Sequence, residues 1–268
     1  MIEQVEGIII SEKPYGETSK IIQCLTKNYG IIGIIAKGSR SLKSELRSVT
    51  SKLIYGNFNI YYKKDKLSNL VSVDVINPFK NIMKDLTKIT YASFLVDLTE
   101  QVYKQSGEEE VYELLKNALI KINEDYEPSV ITNILELKYL HYLGVMPIID
   151  RCSICGSTSG IITLDSNKGG YICSKCYKNE VIVSDKTIKL IRMYYYVDIS
   201  KISKLEISKK SKIEINAFLD DYYDRYTGLY LKSKTLINNL SKANVAQNGI
   251  VEKISTYSWK FFFEMILF

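Results

Sequence analysis

One histidine, one tryptophan and four prolines are all that this 268-residue chain carries of those types. Each scarcity removes something. With His141 as the only imidazole, no second histidine is at hand for a catalytic or metal-binding partnership. No Walker A sequence and no Gly-x-Ser-x-Gly elbow occurs, so neither a phosphate-gripping loop nor a serine-hydrolase nucleophile is encoded. The few prolines and the lack of any low-complexity tract argue against long disorder before the tail. The opening Met1-Ile-Glu-Gln-Val has no basic segment followed by an apolar run, so no signal peptide is expected. No stretch reaches the length of a membrane helix. The expectation is a cytoplasmic protein with no membrane partner.

What the chain does have is four cysteines in a definite pattern. Cys152-Ser-Ile-Cys155 is followed after seventeen residues by Cys173-Ser-Lys-Cys176. Two thiolates three apart on a tight turn can both reach one ion at about 2.3 Å, and a second such turn completes a tetrahedron. Gly156 stands where the first knuckle needs a residue tolerant of positive φ. Ile161 to Leu164 and Gly170 to Ile172 read as short strands around the turn Asn167-Lys-Gly-Gly170, a zinc-ribbon-like hairpin. Two disulfides would require an oxidising compartment, and a redox dithiol would require one Cys-x-x-Cys. Four protein thiolates leave no open position, so the expected Zn²⁺ is structural. Cys24 lies in an apolar strand pattern and reads as a buried small hydrophobe.

The first 76 residues are β in pattern. Gly7 to Ile10, Lys20 to Leu25, Gly30 to Ala36, Lys52 to Tyr62 and Leu67 to Ile76 are runs rich in β-branched residues, several bounded by turn residues. Val71, Val73 and Val75 alternate with Ser72 and Asp74, the period of a half-buried strand. Five short strands suggest a small closed barrel, an OB-fold first and an SH3-like barrel second. Beyond Pro78 the spacing becomes helical, with one helix from Phe79 to about Gly107, one opened by Glu108-Glu-Glu110, and one from Pro128 to Gly144. Ser184 can cap another, and Ser211-Lys-Ile-Glu214 fits a capping box. The fold class is therefore α+β. Residues 1–78 form the barrel and 79–240 a helical domain with the zinc module inserted at about 150–180; 241–268 are an extension bearing Trp259 and Phe261 to Phe263. His141 reads as a partly buried helix residue, and Tyr194 to Tyr196 as helix packing.

Charge is distributed unevenly. The net charge is +6, and residues 37–66 alone hold eight Lys or Arg against two acids. Residues 81–127 hold ten acids against five lysines. Lys37, Arg40, Lys43 and Arg47 fall between two strands with Gly38 and serines, so they project from a loop. Such a loop neutralises phosphates and releases counterions, while Tyr15 offers a ring for stacking. A solvated lysine-rich face is the plain alternative. OB-folds and zinc ribbons also occur in RNA-binding proteins, and an enzyme using a cysteine thiolate is a third class.

Several features coincide in order: Tyr15-Gly-Glu17, Ala36-Lys-Gly-Ser-Arg40, Leu140-His-Tyr-Leu-Gly144, the two cysteine knuckles, and Leu229-Tyr-Leu-Lys-Ser233. Together they resemble the RecO family of bacterial recombination mediators, over residues 1 to about 240. The family's Ala-Lys-Gly-x-Arg segment falls on Ala36, Lys37, Gly38 and Arg40, with later basic positions on Lys43 and Arg47. The resemblance implies an OB-fold, a helical domain and a zinc insertion. It further implies binding of single- and double-stranded DNA, strand annealing, and loading of RecA on SSB-coated DNA with RecR, through the SSB C-terminal tail. It implies no enzymatic activity. It gives no account of the extension beyond residue 240.

Overall fold

The computed structural model describes residues 2–237 apart from Lys204, Tyr230 and Lys232; the extension read at 241–268 lies outside the described residues. The N-terminal runs form β1 (Ile2–Tyr15), β2 (Ser19–Thr26), β3 (Gly30–Ala36), β4 (Tyr55–Tyr61) and β5 (Ser68–Asn77). They close into a barrel in the order β1-β2-β3-β5-β4. The β3–β5 seam is parallel and the others antiparallel. This is the OB-like arrangement and not the SH3-like one.

β1 is longer than the apolar run Gly7 to Ile10 that announces it. Residues 2–8 pair with β4 and residues 7–15 with β2. An irregularity between Ile9 and Ser11 accompanies the change of neighbour, as a bulge does when it bends a strand. Val5, Ile9, Ile22, Cys24, Ile34, Phe58 and Ile60 fill the interior. Cys24 is fully buried, and burial pushes its thiol far above its usual range. Ile8, Ile10 and Leu25 face the other way and join the core of the helices, as the period of two requires. The half-buried pattern expected of Val71 to Val75 is not observed. Val71 and Val75 are exposed and only Val73 is half-buried. β5 pairs with β3 only through Ser68 and Asn69, and beyond them its remaining ladder is with β4 alone.

A short helix, α1 (Leu46–Val49), interrupts the β3–β4 connection and has no strong sequence signal. The helical part holds α2 (Lys80–Met83), α3 (Leu86–Ser106), α4 (Glu110–Asn123) and α5 (Pro128–Tyr142). The single helix expected from Phe79 to Gly107 is broken at Lys84. Asp85 is extended and accepts the Lys88 N–H at 2.9 Å, which caps a new helix there. Helix α5 is buried from Val130 to Leu137 and packs on α3 and α4 and on the later helices α6 (Asp185–Tyr196) and α7 (Lys209–Tyr226). A helix buried on all sides, here with the polar Thr132, Asn133 and Glu136 among its buried residues, is the centre of its core. Between α5 and α6 lies the hairpin β6 (Ile161–Asp165) and β7 (Gly170–Cys173).

The cap of α7 differs from the sequence reading. Ser208, not Ser211, accepts the first N–H, from Ser211 at 3.1 Å, and Ser211 is buried within the first turn. Glu214 does not fold back on its own helix. Its Oε2 accepts the Ser184 N–H at 3.1 Å, the Ser184 hydroxyl at 2.9 Å and the Thr187 hydroxyl at 2.5 Å, so it completes the N-terminus of α6. Burial opposes its charge, but these bonds from Thr187 and Ser184, with Lys210, hold the carboxyl below its usual 4.5. A carboxyl depressed in the folded state stabilises fully above its unfolded pKa and loses that contribution as pH falls through the folded value. Glu214→Gln is therefore expected to cost about 1–2 kcal/mol at neutral pH. The deficit should shrink below pH 4.5, which urea melts at pH 7 and pH 3.5 would show.

Candidate metal centre and nucleic-acid interface

The four knuckle cysteines converge. All four Sγ atoms lie within 4.8 Å of one another, and Cys155 Sγ is 3.6 Å from Cys173 Sγ. Thiolates about 2.3 Å from one tetrahedral ion stand roughly 3.8 Å apart, whereas a disulfide needs about 2 Å. The set fits an ion and not a pair of bridges. Each knuckle is closed by its own backbone. Gly156 donates to Cys152 O at 2.9 Å with φ +75°, and Cys176 and Tyr177 donate to Cys173 O at 3.0 Å. The Cys173 N–H points at Cys152 Sγ, 3.5 Å away. Burial would raise the Cys152 thiol, but the N–H groups of Cys155, Cys173 and Ile154 bring it down to about 6. A hydrogen bond to Cys155, then burial, pushes Cys176 up to about 12. Four thiols this close resist joint ionisation unless a cation stands among them. The segment leading in is seated tightly: Ile148 exchanges hydrogen bonds with Gly169 and Tyr171 at 2.9 and 2.8 Å. A Cβ on Gly170 would lie 2.1 Å from Ile148 O.

Lys37, Arg40, Lys43 and Arg47 all lie in the β3–β4 connection and all are exposed. Among the described residues none of the four is paired with an acid. The loop that carries the first two is held from several directions. Arg40 N–H donates to Thr18 O at 2.7 Å, Gly38 N–H to Ser19 Oγ at 3.2 Å, and the buried Ser39 hydroxyl to Ala36 O at 2.8 Å. The Arg40 guanidinium also donates to Gly16 O at 3.3 Å, so it lies beside the β1–β2 loop with exposed Tyr15. Lys43 precedes α1 and Arg47 lies on it. Lys63, Lys64 and Lys66 are exposed on the β4–β5 loop. Lys52, counted with the basic stretch, is instead half-buried. Burial lowers its ammonium pKa against the pull of Asp97 and Glu100 on α3.

His141 is exposed, not partly buried. It lines a shallow cleft of about 350 Å³ with Glu108, Glu110 and Tyr142, away from the cysteines' ligand set. Of the tyrosine cluster, Tyr194 is buried as expected, but Tyr196 is 66% exposed. Tyr29 and Tyr62, whose ring centroids are 4.5 Å apart, carry no local signal of their contact, because they come from different loops.

An OB-like barrel continuous with a helical core, bearing a loop of exposed cations and a four-thiol hairpin, defines an α+β protein with an OB-like domain and a candidate structural metal site. Within that class the family is specific. Residues 1–79 match the family model "Recombination protein O N terminal" and residues 83–235 match "Recombination protein O C terminal". Similar curated proteins include the DNA repair protein RecO of Listeria monocytogenes serotype 4b, 31% identical over 90% of this chain and 96% of the relative. Those of Bacillus velezensis and Bacillus subtilis are 32% and 30% identical over 90% of this chain and 95% of the relative. The chain belongs to the RecO family of DNA repair proteins. Among the described residues no helix is long and apolar enough to cross a membrane.

Proposed function

We propose that this protein is a non-enzymatic recombination mediator, working at the nucleoid in the cytoplasm. It binds single- and double-stranded DNA, anneals complementary strands and, with RecR, helps load RecA on SSB-coated DNA. Residues 1–78 are the DNA-binding unit, and 79–240 carry the protein contacts, including the SSB tail. The ion of the four-cysteine site is Zn²⁺, because four thiolates in a closed shell are its usual structural set. That ion supplies rigidity to 150–180 and no chemistry.

One observation carries this reading: in a chain of a DNA repair family, Lys37 and Arg40 are exposed, unpaired and anchored to a rigid barrel edge. Charges held this way meet phosphates without first leaving an acid or ordering a loop. If Lys37, Arg40, Lys43 and Arg47 each engage one phosphate, log K should fall with log salt by about 3 on single strands and about 3.6 on duplex. Lys37→Glu/Arg40→Glu should weaken binding and flatten these slopes by about 1.4 and 1.8, with little loss of thermal stability. An unchanged slope would assign the contact to another surface, Lys63, Lys64 and Lys66 first.

A further inference from the structure

Several cations of the helical part face an acid. Lys104, Lys116, Lys121 and Lys212 each stand within 3.1 Å of a carboxylate. Helix α6 carries three that do not. Lys186, Lys189 and Arg192 are exposed, and none forms an ion pair among the described residues. Thr187, Leu190, Ile191 and Tyr194 turn the opposite side into the core. The three cations therefore share one outer face, with Asp185 at its N-terminal end. At 1.5 Å per residue the row is about 9 Å long. It ends in Tyr196, 66% exposed, with the Tyr195 ring edge-on at 5.0 Å and 74°. The helix is tied to the metal hairpin by the Tyr171 hydroxyl, which donates to Ile188 O. It packs on α5, α7 and β6.

We infer that the outer face of α6 is a second phosphate-binding row, taking a second nucleic-acid strand while the barrel holds the first. The exposed ring is what favours a nucleic acid over an acidic peptide. Stacking serves a base, which has a π-face, and does nothing for a carboxylate. The inference rests on the annealing reading above and adds to it where the second strand is held. Two strands repel each other, and cations on separate elements let one protein carry both before pairing begins.

The test uses the full chain saturated with one labelled oligonucleotide and offered a second, non-complementary one, so that capture is separated from base pairing. Wild type should retain the second strand. Lys186→Glu/Lys189→Glu/Arg192→Glu should reduce that capture at least about tenfold and flatten its salt slope by about 2. Its affinity for the first strand should stay within about twofold, and metal content should be unchanged. Tyr196→Ala should weaken single-strand capture about tenfold and leave duplex capture nearly unchanged. Equal capture by wild type and the triple variant overturns the inference and leaves the barrel's role standing. Displacement of the second strand by an acidic peptide at equal concentration overturns it in favour of a protein-docking face. If wild type fails to hold even the first strand, the mediator reading falls and this inference falls with it.

Discussion

Cys173→Ser protein is expected to emerge without metal and with residues 150–180 unfolded. Cys173 is 2% exposed, and its sulfur lies 3.6 Å from that of Cys155. A serine there offers a hard, protonated oxygen where the ion needs a thiolate. Structural zinc sites contribute on the order of 10 kcal/mol of apparent binding free energy, which is largely folding free energy. Embedding in a larger core softens the loss here, because Leu164 and Tyr171 also belong to the helical core. A destabilisation on the order of 5 kcal/mol is expected. It should spread to α6 through Tyr171 and Ile188 and stop short of the barrel, whose interior is closed by its own residues. Metal analysis and hydrogen exchange would show this as lost zinc and lost protection at 150–196 with β2 and β3 still protected. A Cys173→Ser protein that keeps one zinc per chain would sink the four-thiolate assignment. Wild type treated with a strong chelator should reproduce the variant, and adding zinc back should rescue wild type alone.

The cysteine site could be read from the chain because its determinants are local. Two ligands three apart and a glycine after the first pair fix each knuckle within five residues, and the hairpin between them needs only a turn at Asn167 to Gly170. The barrel was readable for a similar reason, since glycines and turn residues punctuate its β-branched runs. What escaped depends on residues far apart in sequence. Glu214 looks like half of a capping box by spacing, yet it serves Ser184, thirty residues earlier. Lys52 looks like surface charge until α3 covers it. The break at Asp85 is set by one side-chain cap that helical periodicity does not register. Arg40 was expected to project to phosphate. Its second contact, to Gly16, depends on two loops meeting across the barrel. That the row on α6 is unpaired shows only when its three cations can be checked for acids near them in space.

Residues 1–78 expressed alone are expected not to reach a stable fold, although the change from strand to helix falls at that point. Ile8, Ile10, Leu25 and Tyr55 lie on the outer side of the barrel and are at most 8% exposed in the full chain, where the helices cover them. Uncovering side chains of this size forfeits about 1.5–3 kcal/mol each. Four of them amount to roughly 6–12 kcal/mol, as much as the whole stability of a typical domain. A polar link would go with them. The Glu6 carboxylate on β1 accepts the hydroxyls of Tyr55 on β4 and Tyr112 on α4, both at 2.9 Å. Those bonds, with Lys116, outweigh burial and hold Glu6 below its ordinary range. Without α4 the carboxylate keeps one tyrosine and Lys27 and loses Tyr112 and Lys116. The isolated segment should therefore show broad urea unfolding and poorly dispersed amide resonances. Full-length Ile10→Ser, which disturbs the shared surface and leaves the barrel interior intact, should lower the melting temperature and destabilise barrel and helices in one transition. A cooperative transition for 1–78 at the urea midpoint of the full chain would show instead that the two cores are energetically separate, and that the contacts of Ile8, Ile10 and Leu25 with the helices contribute little.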